Sequence, residues 1–275
     1  MTATPDSVRR IDRTAWRRGD LSAGARAVPE ETAVAFTYNR SAHAVMMATP
    51  ADLEDFAVGF SLNERIVARP DQIEDLEIVP NENGIELRMW IGTAHGAAFY
   101  DRRRYLAGPT GCGLCGVESL AEAMRPVPRV EDGGLRVSSE LIRSALAALP
   151  DAQTLNRQTH AVHAAAYWRP EAGLVALRED VGRHNALDKL AGALARAAVS
   201  AAHGIVLLTS RVSVEMVQKA AVMGAPVIAA VSAPTALAVR VAEAAGITLI
   251  AVARDDGFEV FTHGRRLALA EPALT

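Results

Sequence analysis

The chain is 275 residues long, half of them apolar and 22% charged, with a formal net charge of −3. That composition excludes collagen-like, disulfide-scaffold and largely disordered chains, and the near-neutral balance supplies no broad basic field for nucleic acid. The two cysteines, Cys112 and Cys115, form a single C-x-x-C, which cannot staple a protein of this size. They point to a reducing compartment and to a pair kept for chemistry or metal.

The N-terminus carries positive charge but no apolar stretch behind it, and Arg17-Arg18 is followed by Gly19-Asp20, so neither a Sec nor a twin-arginine signal is expected. Ala220 to Val239 is uncharged and long enough to raise the question of a membrane span. Its Gly224, Pro226, Ser232, Pro234 and Thr235 instead divide it into helix end, turn, buried strand, turn and next helix. A soluble cytoplasmic protein is expected, without membrane or nucleic-acid partners. Of the 29 basic residues 27 are arginine, which codon bias explains, so a ligand-binding argument rests on particular arginines.

In chain order, residues 1–29 read as a polar, Arg-rich tail or docking arm. Thr32–Tyr38 and Ala42–Met47 are β-rich runs joined by Asn39-Arg40-Ser41, a hairpin pattern. Thr49 and Pro50 open a helix with Leu53, Phe56, Ala57, Phe60 and Leu62 on one side. Ile73–Val79 and Ile85–Ile91 flank Asn81-Glu82-Asn83-Gly84, a second strand pair. An α+β unit over 30–137 is therefore expected, ending in a Gly-rich C-x-x-C loop and a Pro/Gly linker. Over 138–275 an amphipathic helix follows Ser138-Ser139 and runs through Leu149. Strands at Leu174–Leu177, Gly204–Leu208, Pro226–Val231 and Ile247–Ala253 then alternate with helices at Asn185–Ala198, Val214–Met223 and Ala233–Ala245. This alternation predicts an α/β layer of parallel strands with right-handed crossovers.

The cysteine loop has the ingredients of an activated thiolate. Arg102-Arg103-Arg104 lies upstream, a predicted helix start at Val117 lies downstream, and Gly111, Gly113 and Gly116 leave the sulfurs open. Structural zinc needs two further ligands, and His160 and His163 are too distant in sequence for a zinc-finger spacing. A thioredoxin-type redox pair, two incidental buried cysteines and a persulfide carrier are the other readings. A zinc nucleobase deaminase is excluded because no H-x-E occurs and Gly111, not proline, precedes Cys112.

Three strand-to-helix turns are rich in polar groups: Arg178–Asn185, Ser210–Ser213 and Ser232–Thr235. Free N–H groups at helix starts make such turns anion sites, and Arg183 and Arg211 offer bidentate contacts to phosphate. Ordinary capping by Asn185, Ser213 and Ser232 is the competing reading. His184 is either a general acid or base or a satisfied histidine near a helix start. Asp188 reads as a surface or first-turn charge.

Taken together, T-G-C-G-L-C-G-V-E at 110–118, T-H-A-V-H-A-A-A at 159–166, E-D-V-G-R-H-N-A-L-D-K-L at 179–190, S-R-V-S-V-E-M-V-Q-K-A at 210–220, S-A-P-T-A-L-A-V at 232–239 and V-F-T-H at 260–263 resemble the FdhD family. The resemblance runs from about residue 30 to the end of the chain. It implies a formate dehydrogenase accessory sulfurtransferase with a three-layer, cytidine-deaminase-like α/β domain, acting as a homodimer. Such a protein takes persulfide sulfur from a cysteine desulfurase. It passes the sulfur to the molybdenum bis(pterin guanine dinucleotide) cofactor of the formate dehydrogenase catalytic subunit, which is cargo; no metal of its own is implied. Cys112 would hold the persulfide with Cys115 as partner. A cofactor strip would fall on Val252, Ala253, Arg254, Asp255, Asp256 and Gly257, and the phosphates of the cofactor suggest Arg183, His184, Arg211, Ser213 and Ser232 as further contacts. His163 keeps its family position, whereas His160 and Ala161 stand where the family has small residues.

Overall fold

The structure, a computed structural model, describes residues 3–92, 126–254 and 256–268. Cys112, Cys115, Arg102-Arg103-Arg104 and Asp255 lie outside the described residues.

Within the segment expected as a tail or docking arm, residues 8–29 form a ribbon. Strands β1 (Val8–Arg17) and β2 (Asp20–Pro29) pair antiparallel along their whole length. Arg18 (φ 52°) and Gly19 (φ 99°) close them in a two-residue turn with both φ values positive, the geometry that matches strand twist. Periodicity hides this hairpin because its facing pair, Trp16 and Leu21, remains 69% and 73% exposed.

Next come β3 (Thr32–Tyr38), β4 (Ser41–Ala48), helix α1 (Leu53–Asn63), β5 (Ile73–Asn81) and β6 (Gly84–Ile91). They form the expected small α+β unit, a sheet in the order β4-β3-β6-β5. Asn39 and Arg40, both at positive φ, close the β3–β4 hairpin. Phe36 stacks on Phe60 and meets Phe56 edge-on, so α1 is seated on the sheet by aromatic packing.

The second unit contains β7 (Val137–Ser138), α2 (Ser139–Ala147), α3 (Leu149–Ala152), α4 (Thr154–Thr159), β8 (His163–Arg169), β9 (Gly173–Asp180) and α5 (Arg183–Arg196). It continues with β10 (Ile205–Leu208), α6 (Val214–Val222), β11 (Val227–Ala230), α7 (Ala236–Ala245), β12 (Thr248–Arg254), β13 (Gly257–Val260) and β14 (Leu267–Ala268). Its main sheet has the order β13-β12-β11-β10-β8-β9. One face packs residues of α5, α6 and α7, such as Leu187, Met216 and Ala242. The opposite face packs Ile142 and Ala145 of α2 with Leu149 against Trp168, Leu207 and Ala229. The result is the expected three-layer α/β arrangement.

The sheet is mixed rather than uniformly parallel. Only β10, β11 and β12 are parallel neighbours; β8 runs against both β9 and β10, and β13 against β12. Strand β8 was hidden as an element by its Ala164-Ala165-Ala166 run, which lacks the β-branched residues that mark strands. Ser138 caps α2 as expected, accepting from the Leu141 N–H, but that helix ends at Ala147 and α3 begins separately at Leu149.

The two units meet where α1 crosses α5. A Cβ on Gly59 would lie 1.7 Å from the Asp188 carbonyl oxygen, and one on Gly192 would lie 1.8 Å from that of Asp55. The reciprocal glycines thus permit backbone-to-backbone approach. No helix among the described residues is long and apolar enough to cross a membrane. The uncharged run at 220–239 divides among α6, β11 and α7.

Candidate functional site at the carboxyl end of the main sheet

Strands β9, β10, β11 and β12 share one direction, so their carboxyl ends lie along one edge of the sheet, where β8 begins at His163. This edge gathers the predicted turns. In spatial order it carries Arg183 and His184 after β9, His163 on β8, Arg211 and Ser213 after β10, Ser232 after β11, and Arg254 ending β12. Four interstrand steps of about 4.8 Å give the row a length of roughly 19 Å.

The motif at 179–190 separates into residues with partners and residues without. Glu179 accepts from the Leu155 and Asn156 N–H groups at 2.8 and 2.7 Å, holding the start of α4. Asp180 accepts from Gly182 N (2.8 Å), Asn185 Nδ2 (2.9 Å), Thr49 N (3.0 Å) and Lys189 Nζ (2.6 Å). Lys189 also donates to the Thr49 carbonyl, and both side chains of this ion pair are fully buried. Asn185 is therefore a clamp onto Met47 O and Asp180, not a helix cap; Gly182 occupies the N-cap of α5. Asp188 is not a surface charge either. It is buried and receives Lys219 at 2.8 and 3.0 Å and Asn63 Nδ2 at 2.7 Å. Burial alone would pull the Lys219 ammonium down, but the Asp188 and Glu64 carboxylates outweigh it and hold it above its ordinary range.

Arg183 and His184 have the opposite character. Among the described residues, Arg183 Nε and His184 Nε2 are shielded from solvent without a hydrogen-bond partner, so no described group satisfies that ring nitrogen of His184. Burial, then the positive charges of Arg183 and Lys219, push His184 down to about 4, against the opposing carboxylates of Glu215 and Glu64. Burial and Arg183 likewise lower His163. Both imidazoles are neutral at pH 7.

Ser213 holds the N-cap position of α6, as predicted, but its hydroxyl makes no cap bond and is shielded and unpartnered, as is Oε2 of Glu215. Arg211 is exposed in the same turn, and Val212 bridges to Pro234, tying the β10 and β11 turns together. Ser232 is not an N-cap. Helix α7 begins at Ala236, and Thr235 caps it by accepting from Ala238 N. The chain needs residues 232–235 to cross from the sheet to that cap, which is why the helix starts later than its apolar pattern suggests.

Ser232 instead joins the predicted strip. Its carbonyl accepts from Val252 N at 3.3 Å, and Arg254 Nη1 donates to the carbonyls of Val231 and Ala253. Val252 has φ 52° within a register shift of β12, a left-handed conformation unfavourable for a β-branched residue. Ala253 is buried, Arg254 and Asp256 are exposed, and Gly257 opens β13. Ala253, Arg254 and Asp256 border a cleft of about 900 Å³ whose other wall is α2, with Glu140, Arg143 and Ser144. In the sequence those three residues stand out only as the polar face of an amphipathic helix. Among the described residues no group of three or more His, Cys, Asp or Glu is placed to hold a metal ion.

The sequence model of the FdhD/NarQ family matches residues 29–268. A sulfur carrier protein FdhD from Agrobacterium fabrum is 55% identical over 96% of this chain and 97% of its own length. One from Cupriavidus necator is 52% identical, covering 92% and 87%. The fold is similar to a crystal structure described as a formate dehydrogenase accessory protein from Desulfotalea psychrophila. Its TM-score is 0.74 at 25% identity, over 94% of this chain and 99% of the other.

Proposed function

Since the chain belongs to the FdhD/NarQ family, we propose that it is a sulfur carrier that serves formate dehydrogenase by delivering persulfide sulfur to the molybdenum bis(pterin guanine dinucleotide) cofactor. Its near relatives are named as sulfur carriers, and the solved structure of similar fold is described as a formate dehydrogenase accessory protein. The observation that carries the cofactor assignment is the row of polar and cationic groups along the sheet edge. Arg183, Arg211 and Arg254 with Ser213, Ser232 and two helix starts suit an extended ligand bearing several phosphates.

In this reading the Cys112 thiolate attacks the outer sulfur of the persulfide on a cysteine desulfurase. The desulfurase cysteine leaves as a thiolate and Cys112 becomes the persulfide, with no net oxidation. Cys115 discharges unused sulfur by attacking Cys112, releasing hydrosulfide and forming a disulfide. The cargo lies along the strip 252–257 and the row Arg183, His184, Arg211, Ser213 and Ser232, while a second copy of the chain and the dehydrogenase catalytic subunit complete the assembly in the cytoplasm.

Incubation with desulfurase and cysteine should add one sulfur to the Cys112 peptide, read by mass spectrometry. No mass gain there, or full activation of formate dehydrogenase by Cys112→Ala, contradicts the carrier role. The latter result would instead describe a chaperone that only delivers cofactor.

A further inference from the structure

The β1–β2 ribbon is fastened to the rest of the chain only at its root. There Glu30 N donates to the Ser7 carbonyl at 2.9 Å, Arg9 pairs with Glu30, and Arg26 Nη2 donates to the Thr159 carbonyl at 3.3 Å. Beyond the root, β2 is exposed from Asp20 to Arg26, and β1 from Arg9 to Arg17 except at Ala15. Strand alternation puts Trp16 and its pair Leu21 on one face with Ala23, Ala25 and Ala27. A lone two-stranded ribbon is marginal in water, and exposed apolar patches mark contact surfaces. The family's sequence model begins at residue 29, so the ribbon lies outside the matched core.

The same chain carries a surface that fits it. Helix α1 covers one face of the four-stranded sheet through Phe36, Phe56 and Phe60. The pairs Ala33–Met47 and Ala35–Val45 point to the opposite face, where Met47 and Val45 are 50% and 61% exposed. Within one copy the two apolar patches stay apart, as the exposure of both shows. Charge matches as well. Residues 8–29 hold six arginines and two aspartates, a charge of +4, which leaves −7 for the rest of the chain. Among the described residues Arg10, Arg13, Arg17 and Arg18 form no ion pair, while β5, the outer strand of that sheet, exposes Glu74, Asp75 and Glu77. Two ribbons, each about 34 Å long and 10 Å wide, laid on the sheets of opposite copies would bury roughly 1,400 Å² in total, within the range of about 1,200–2,000 Å² for stable interfaces.

We infer that the β1–β2 ribbon is an arm that clasps a second copy of this chain, with Trp16 and Leu21 on the partner's Val45 and Met47 and the arginines beside the partner's β5 carboxylates. This rests on the homodimer reading above and names the surfaces that make it. The exchange is mutual, each copy giving one ribbon and receiving one.

Sedimentation equilibrium of the full chain tests this. Wild type should be a dimer. Trp16→Ser and Met47→Glu, in different elements, should each weaken it about a hundred-fold or more, because an apolar anchor is lost twice in a two-fold pair. Mixing the two variants should tighten association about ten-fold over either alone. The mixed pair keeps one intact contact, and a second lesion in a contact already broken costs little. A variant that had merely unfolded would show no such recovery. A dimer indifferent to both substitutions overturns the inference and leaves the homodimer standing. Weakening without recovery on mixing overturns the mutual exchange. A wild-type monomer overturns the homodimer reading together with the inference, and would place the arm on a different, acidic protein.

Discussion

Two neighbouring regions handle buried polarity in opposite ways. Where α1 meets α5, each buried charge has a partner: Asp180 with Lys189, Asp188 with Lys219, and Asp55 with Arg178 at 2.7 Å and Arg196 at 2.5 Å. At the starts of α5 and α6, Arg183, His184, Ser213 and Glu215 each retain a shielded atom with no partner among the described residues. The first region spends its polar groups on fastening the two units together. The second keeps them unspent at the end of a sheet, where ligands gather in α/β folds. A single stretch, residues 179–190, contributes to both regions, so membership of a motif does not reveal a residue's task; its partners do.

Mutation has its largest expected effect at the fastening. Lys189→Ala leaves Asp180 buried without its cation, and removal of one partner from a buried pair costs about 3–5 kcal/mol. Urea denaturation should register that loss, and a value under 1 kcal/mol would mean that the pair does not hold the units together.

His184 supplies the next largest effect, through pH. Its folded pKa, about 4, lies below the unfolded value of 6.5, so between these pH values the unfolded chain binds more protons. Stability therefore falls as pH drops from 6.5 toward 4, by on the order of 2–3 kcal/mol. His184→Gln should flatten that part of the profile measured by thermal or urea unfolding; an unchanged slope would contradict a buried neutral imidazole. Arg183→Ala should alter stability by less than about 0.5 kcal/mol, because no bond of its Nε is lost. It should nevertheless weaken guanosine diphosphate binding about ten-fold, the scale of one charge-assisted bond. The reverse pattern would place Arg183 among the fasteners.

The smallest effect concerns His160, exposed at φ 54° at the end of α4. His160→Gly should raise stability by about 0.5–1 kcal/mol by removing a left-handed side chain, a change of a few degrees in thermal midpoint. Loss of stability would show that the imidazole makes a compensating contact.

Much of the fold was legible because its signals are local. Apolar periodicity marked α1, α5, α6 and both hairpins of the four-stranded sheet, and the short apolar runs marked β10, β11 and β12. The misses came from non-local causes. The β1–β2 ribbon carries its apolar residues outward, β8 is written in alanine, and Thr235 rather than Ser232 caps α7 because of where the chain leaves the sheet. At the site, Arg183, His184 and Ser213 were identifiable as polar residues at predicted helix starts. The burial of Asp188 and the isolation of Glu215 depend on Lys219 turning toward Asp188 and Glu64, which residue spacing does not encode.

Whether the groups at the starts of α5 and α6 meet a nucleotide decides the cofactor assignment most directly. Guanosine diphosphate titrated into the full chain, with the imidazole resonances of His184 followed by NMR, reads this in one experiment. Binding should shift those resonances and raise the His184 pKa from about 4 as anionic phosphate approaches. Saturable binding that leaves His184 unmoved would place the nucleotide elsewhere and contradict the assignment.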